Sequence, residues 1–244
     1  MRSFGKIVDL IIVILAVDLI PRLSSMLTNL LSPLILVLDA DGIFAWVSIQ
    51  HVIQLIITLL IMKFYFKSRL RDWGFNLENR KNAYKIIVSC TVIFIVIKAA
   101  HSLIIVASGG DAGNFTYMSS VKNAFGYYGF EAFLSGTCEE PLFRAFIILV
   151  VAQSWKGSFR IGKLDITSAG IISAVLFTIA HINYTIFPFR IISLNPLQLL
   201  TAFCLGFVYA VVFQKTKSLL LPIVLHNLSN VIVITVPYLI FNIF

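Results

Sequence analysis

Apart from His51, no acidic or basic side chain interrupts AWVSIQHVIQLIITLLIM, Ala45–Met62. Away from water, backbone of that length satisfies its own polar groups only as a helix or inside a closed barrel. A helix crosses the hydrocarbon layer with about 20 apolar residues. Comparable stretches run over 7–37, 43–65, 84–107, 125–152, 168–187, 196–214 and 218–241. The expected fold class is therefore all-α: a polytopic membrane helical bundle of about seven transmembrane helices. Ile7–Ile20 alone is too short to cross, so one kinked helix is expected through Pro21-Arg22; two separate spans would make eight.

The chain is 59% hydrophobic and 12% charged, where soluble domains have about 45–50% and about 25%. With no internal repeat, 1–244 reads as a single integral membrane domain. The net charge of +8 is unevenly spread. With the N-terminus in the cytoplasm, Arg2, Lys6, Lys63, Lys67, Arg69, Arg71, Arg80, Lys81, Lys85, Lys156, Arg160, Lys163, Lys215 and Lys217 fall inside. Arg22, Lys122 and Arg190 fall outside, and Lys98 and Arg144 lie within spans. The basic excess is thus a positive-inside signal, and the lipid bilayer accounts for it without nucleic acid. RDWGF, Arg71–Phe75, reads as an interfacial anchor. Cys90, Cys138 and Cys204 form no CxxC and read as small packing residues. No cleavable signal peptide is expected, since no small-residue site follows Met1–Ile20.

Against this background LSGTCEEPLFRAFIILV, Leu134–Val150, is anomalous. An ionisable group at the centre of a spanning helix costs roughly 2.5–3.5 kcal/mol, so Glu139, Glu140 and Arg144 facing lipid would oppose insertion by about 8–10 kcal/mol. They must face the bundle or a wet cavity. Glu140 and Arg144, four apart with Glu first, can pair on one helix face. Glu139, rotated by about 100°, has no partner in its own helix. Pro141 disturbs the same turn, and Gly136 permits close approach of another backbone. FTIAH, Phe177–His181, and HNLSN, His226–Asn230, add buried polar groups from two further spans. Asn183 and Asn227 read as interhelical hydrogen-bonding residues, and His51 and His101 as core histidines.

EEPLFR, FTIAH and HNLSN, in that order, resemble the EExxxR, FxxxH and HxxxN pattern of the CAAX prenyl endopeptidase and bacteriocin-processing (Abi) family of intramembrane proteases. The likeness covers roughly Phe125–Tyr238. The N-terminal half carries no family motif, although its WGF is similar to that of many bacterial members. The resemblance implies a glutamate-dependent endopeptidase with a catalytic core over 125–241. Peptide-bond hydrolysis needs a base for water and donors for the oxyanion. Glu139 is the expected base, because Glu140 is committed to Arg144. His181 is expected to align the water or share its proton, His226 and Asn230 to form an oxyanion hole, and Phe177 to orient a ring. Expected partners are a peptide or protein substrate at the membrane and the bilayer itself, in a bacterial cytoplasmic membrane. No cofactor is expected. Two histidines with one or two glutamates can ligate zinc, but HExxH is absent. A Cys138 nucleophile is weaker, since it points away from the Glu139 face. A proton-coupled transporter or a non-catalytic immunity or scaffold protein would also bury such groups.

Overall fold

The computed structural model describes residues 2–76, 83–110, 115–161 and 164–243. Arg80, Lys81 and Lys163 of the basic set therefore lie outside the described residues. Helix α1 (Arg2–Leu30) is followed by a short α2 (Ser32–Leu38), then α3 (Ala45–Phe66) and α4 (Ala83–Ala107). A long helical stretch comprises α5 (Val121–Gly129), α6 (Ser135–Glu140) and α7 (Ile147–Ser154), joined by π-helical turns at Phe130–Leu134 and Pro141–Phe146. Strands β1 (Ser158–Ile161) and β2 (Leu164–Thr167) lead into α8 (Ser168–Ile179). Strands β3 (Asn183–Thr185) and β4 (Arg190–Ser193) precede α9 (Pro196–Thr216) and α10 (Leu220–Ile243).

The molecule is mainly helical, and Ala45–Phe66, Tyr84–Ala107, Pro196–Thr216 and Leu220–Ile243 are long and apolar enough to cross a membrane. Two short antiparallel hairpins, β1–β2 and β3–β4, accompany the helices, and two expectations are corrected. First, 168–187 is not one spanning helix. Its helix stops after 12 residues at Ile179, too short for a crossing, and the rest enters the second hairpin. The apolar run continues through Ile186, Phe187 and Phe189, so hydropathy does not mark where the helix stops. Second, the first span is not one helix over 7–37: α1 passes through Pro21, as expected, but ends at Leu30. Arg22 is neutralised one turn back by Asp18, at 2.8 Å, which also accepts from the Tyr184 hydroxyl at 2.7 Å and so ties the second hairpin to α1. The break comes at Leu31, just before Ser32-Pro33.

RDWGF is a docked corner rather than an interfacial anchor. Trp73 is buried with its Nε1 donating to Ser68 Oγ, and the Gly74 carbonyl accepts from Leu219 N at 2.7 Å. Gly74 has φ +95°, and a Cβ there would lie 2.7 Å from the Phe213 ring, so glycine is required twice over. Helix α1 packs on α3 and α7, α8 on α7 and α9, and α10 on α4, α6 and α9. The apolar core joins Val13, Met62, Phe146, Val150, Phe177 and Phe213. Helix α3, from the N-terminal half, also packs against α6.

Candidate active site

Chain chemistry places the carboxylates at a weak point of the helical ladder. Pro141 has no N–H to donate and opens a π-helical turn directly after Glu140. One turn earlier, Gly136 brings α6 against α10: a Cβ there would meet His226 Cβ and Asn227 Oδ1, each at 2.7 Å. Gly136 N donates to Asn227 Oδ1 at 2.7 Å, the interhelical role expected of that asparagine.

Glu140 and Arg144 have no accessible side-chain surface and form an ion pair at 2.9 Å, with the N–H directed off the contact axis. Arg144 Nη1 donates to Ser173 Oγ at 2.9 Å, and its guanidinium lies 4.7 Å from the Phe177 ring centroid. The other Glu140 oxygen accepts from His226 Nδ1 at 2.8 Å, which fixes the tautomer and leaves His226 Nε2 directed elsewhere. That Nε2 is 3.9 Å from Glu139 Oε2. Tyr209 stacks on the His226 ring at 5.2 Å, and its hydroxyl hydrogen-bonds Ser229.

Glu139 keeps 19% of its side-chain surface accessible. Its Oε1 lies 3.0 Å from Nε2 of His51, a residue expected to be only a core histidine. His51 Nδ1 is 2.9 Å from the Val47 carbonyl, to which it can only donate. A proton must therefore lie between Nε2 and Oε1, on the imidazolium or on the carboxyl. The ring is packed edge-on against Phe130. His51 thus brings the N-terminal half into a site expected from the C-terminal core alone. The sequence signal was the polar face of α3, where Gln50, Gln54 and Thr58 are also buried.

His181 sits on the turn just after α8, its Nδ1 donating to the Phe177 carbonyl at 2.7 Å. Phe177 packs edge-on to both imidazoles, with centroids 4.8 Å from His181 and 5.6 Å from His226. Asn230 departs from the expected geometry. Its amide nitrogen donates to Glu131 Oε2 and Ser135 Oγ, both at 2.8 Å, which uses its donors and leaves Oδ1 free to accept. Glu131, buried in the first π-helical turn, is a second residue missed from sequence. Phe177, His181, His226 and Asn230 line a common cavity of about 360 Å³. An apolar groove of about 410 Å³ between α4, α9 and α10 adjoins it and shares Leu205 and Tyr209. Asn183 lies away from this centre, in a cavity against α1. Cys138 is buried, and Cys90 and Cys204 line the groove. Among the described residues no three His, Cys, Asp or Glu side chains are grouped to hold a metal ion.

Fold and site together define a helical membrane protein with a carboxylate–imidazole centre. Residues 121–232 match the family model described as type II CAAX prenyl endopeptidase, Rce1-like, so the family that the three motifs resemble is the family found. Comparison with curated proteins and with solved structures found no match.

Proposed function

We propose that the protein is an intramembrane endopeptidase of the CAAX type in which Glu139 activates water. The observation that carries this reading is the contrast between adjacent carboxylates. Glu140 is sealed and charge-paired, whereas Glu139 is partly accessible and flanked by His51 and His226.

With the shared proton on His51, Glu139 is ionised and can take a proton from a water beside it. The resulting hydroxide attacks the scissile carbonyl carbon, and the carbonyl π pair moves onto oxygen. His226, with Nδ1–H held by Glu140, presents Nε2; as imidazolium it donates a hydrogen bond from Nε2–H to the oxyanion. Collapse of the tetrahedral species breaks the C–N bond, and the Glu139 proton passes to the leaving amine. His181 retains Nε2 to accept from the attacking water. Asn230 Oδ1 is placed to accept from a substrate N–H, so the oxyanion role expected of this residue passes to His226 alone.

The family description concerns prenylated CAAX substrates, and the adjoining apolar groove suits a substrate with an attached hydrocarbon chain. A peptide or protein held at a bacterial cytoplasmic membrane, with the enzyme's N-terminus in the cytoplasm, is the substrate and setting we assign. Comparing the peptides of wild-type cells with those of a Glu139→Gln strain tests this. Uncleaved membrane-associated precursors accumulate in the mutant; identical peptide populations would contradict the proposal.

A further inference from the structure

Lys98 lies well inside α4, in the apolar stretch Tyr84–Ala107. It is half-buried and lines the same cavity as His181, His226 and Asn230. Of the charged groups on the neighbouring helices, Arg144 pairs with Glu140 and Glu139 with His51, while Glu131 accepts a hydrogen bond from Asn230. Lys98 differs, having no carboxylate or hydrogen-bond acceptor partner among the described residues. Around it the cavity presents the uncharged polar side chains of Asn195, Gln198 and Thr201, with Leu197 and Leu205 toward the apolar groove. An unmatched ammonium within a spanning helix is costly unless a ligand supplies the opposite charge. On the peptidase reading, the cavity that Lys98 shares with His181 and His226 receives the peptide, so that charge belongs on the substrate.

We infer that Lys98 forms a carboxylate-binding subsite for the peptide bound in the cavity. The inference rests on the peptidase reading for the class of ligand. A peptide offers two such groups, its terminal α-carboxylate and an acidic side chain. Three polar neighbours without negative charge let the ammonium pair with either by a charge-assisted hydrogen bond. A carboxylate fixed on one side of the cavity would set where along the peptide the scissile bond meets Glu139.

The full-length protein in phosphatidylcholine liposomes tests this with a fluorescent S-prenylated CAAX peptide in three forms. These are the free acid, the C-terminal carboxamide, and a carboxamide carrying one glutamate after the prenylated cysteine. Binding is read by anisotropy on Glu139→Gln, so that nothing is turned over, with Lys98 retained or changed to Met or Arg. The free acid should bind about tenfold tighter than the carboxamide, the size of a charged hydrogen bond. Lys98→Met should bring that ratio near one, and Lys98→Arg should preserve it. A glutamate peptide that binds like the free acid, in a Lys98-dependent way, assigns the subsite to a side chain and supports it equally. Equal binding of all forms, no binding, or a preference that survives Lys98→Met overturns the subsite. Loss of the preference on adding phosphatidylglycerol assigns the ammonium to a lipid headgroup and overturns it too. Parallel cleavage by the wild type separates the two claims. Cleavage without acid preference sinks the subsite alone, and acid preference without cleavage sinks the peptidase reading alone.

Discussion

Glu139 and Glu140 differ by their neighbours, not by their chemistry. Removing the charge of Glu140 leaves the Arg144 guanidinium buried and uncompensated, a loss of about 3–5 kcal/mol. Glu140→Gln should therefore unfold at markedly lower temperature, whereas Glu139→Gln keeps near-wild-type stability and loses activity. His51→Phe should lower kcat on the order of 10²-fold with little change in KM, because it removes the proton shared with the base. A wild-type rate in that variant would remove His51 from the site. The Glu140–Arg144 pair was legible because a four-residue spacing fixes a helix face. His51 was not: a lone histidine in an apolar span looks the same whether it bonds a carbonyl or a distant carboxylate. Asn230 was placed correctly on α10, but only the fold shows Glu131 and Ser135 drawing its N–H groups away from the cavity.

At the scale of elements, the stretch 121–154 succeeds as a site because it is not a regular helix. Its two π-helical turns bracket Ser135–Glu140, and Gly136 lets that segment sit against α10. Gly136→Ala forces His226 to move and should cost about 1–3 kcal/mol, with activity falling further than stability explains. Helix α3 depends on a remote cap: Asp39 Oδ2 accepts from Phe44 N at 2.7 Å and Ala45 N at 2.8 Å. Burial pushes the Asp39 carboxyl up, but the N–H groups of Ala45 and Phe44 outweigh it and hold the carboxyl below its usual range. A lowered folded value means that its contribution is complete above the ordinary carboxyl value of about 3.9 and is lost as pH falls through the folded one. Asp39→Ala should cost about 0.5–2 kcal/mol at neutral pH, read from thermal unfolding, and the difference from wild type should shrink in acid. Most helices were readable from runs of apolar residues. The β3–β4 hairpin was not, since its apolar side chains continue the hydropathy of α8 while the β-pairing that ends the helix involves Arg190–Ser193, beyond the expected span.

Across the whole molecule, His51 of α3 meets Glu139 of α6, and residues of α8 and α10 line a cavity beside an apolar groove. Order of motifs along the chain indicated the C-terminal contributors; the share taken by α3 depends on packing between sequence halves, which no local pattern encodes. A site whose carboxylates are engaged by arginine and histidine should hydrolyse peptide without metal. Activity of the purified protein should accordingly persist in EDTA, and loss restored by zinc would contradict this. The most direct measurement is single-turnover cleavage of a prenylated CAAX peptide by purified wild-type and Glu139→Gln proteins, folding being matched by thermal unfolding. A fall of at least about 10²-fold in the rate of the chemical step is predicted. An unchanged rate in a folded Glu139→Gln protein would contradict the role given to that carboxylate.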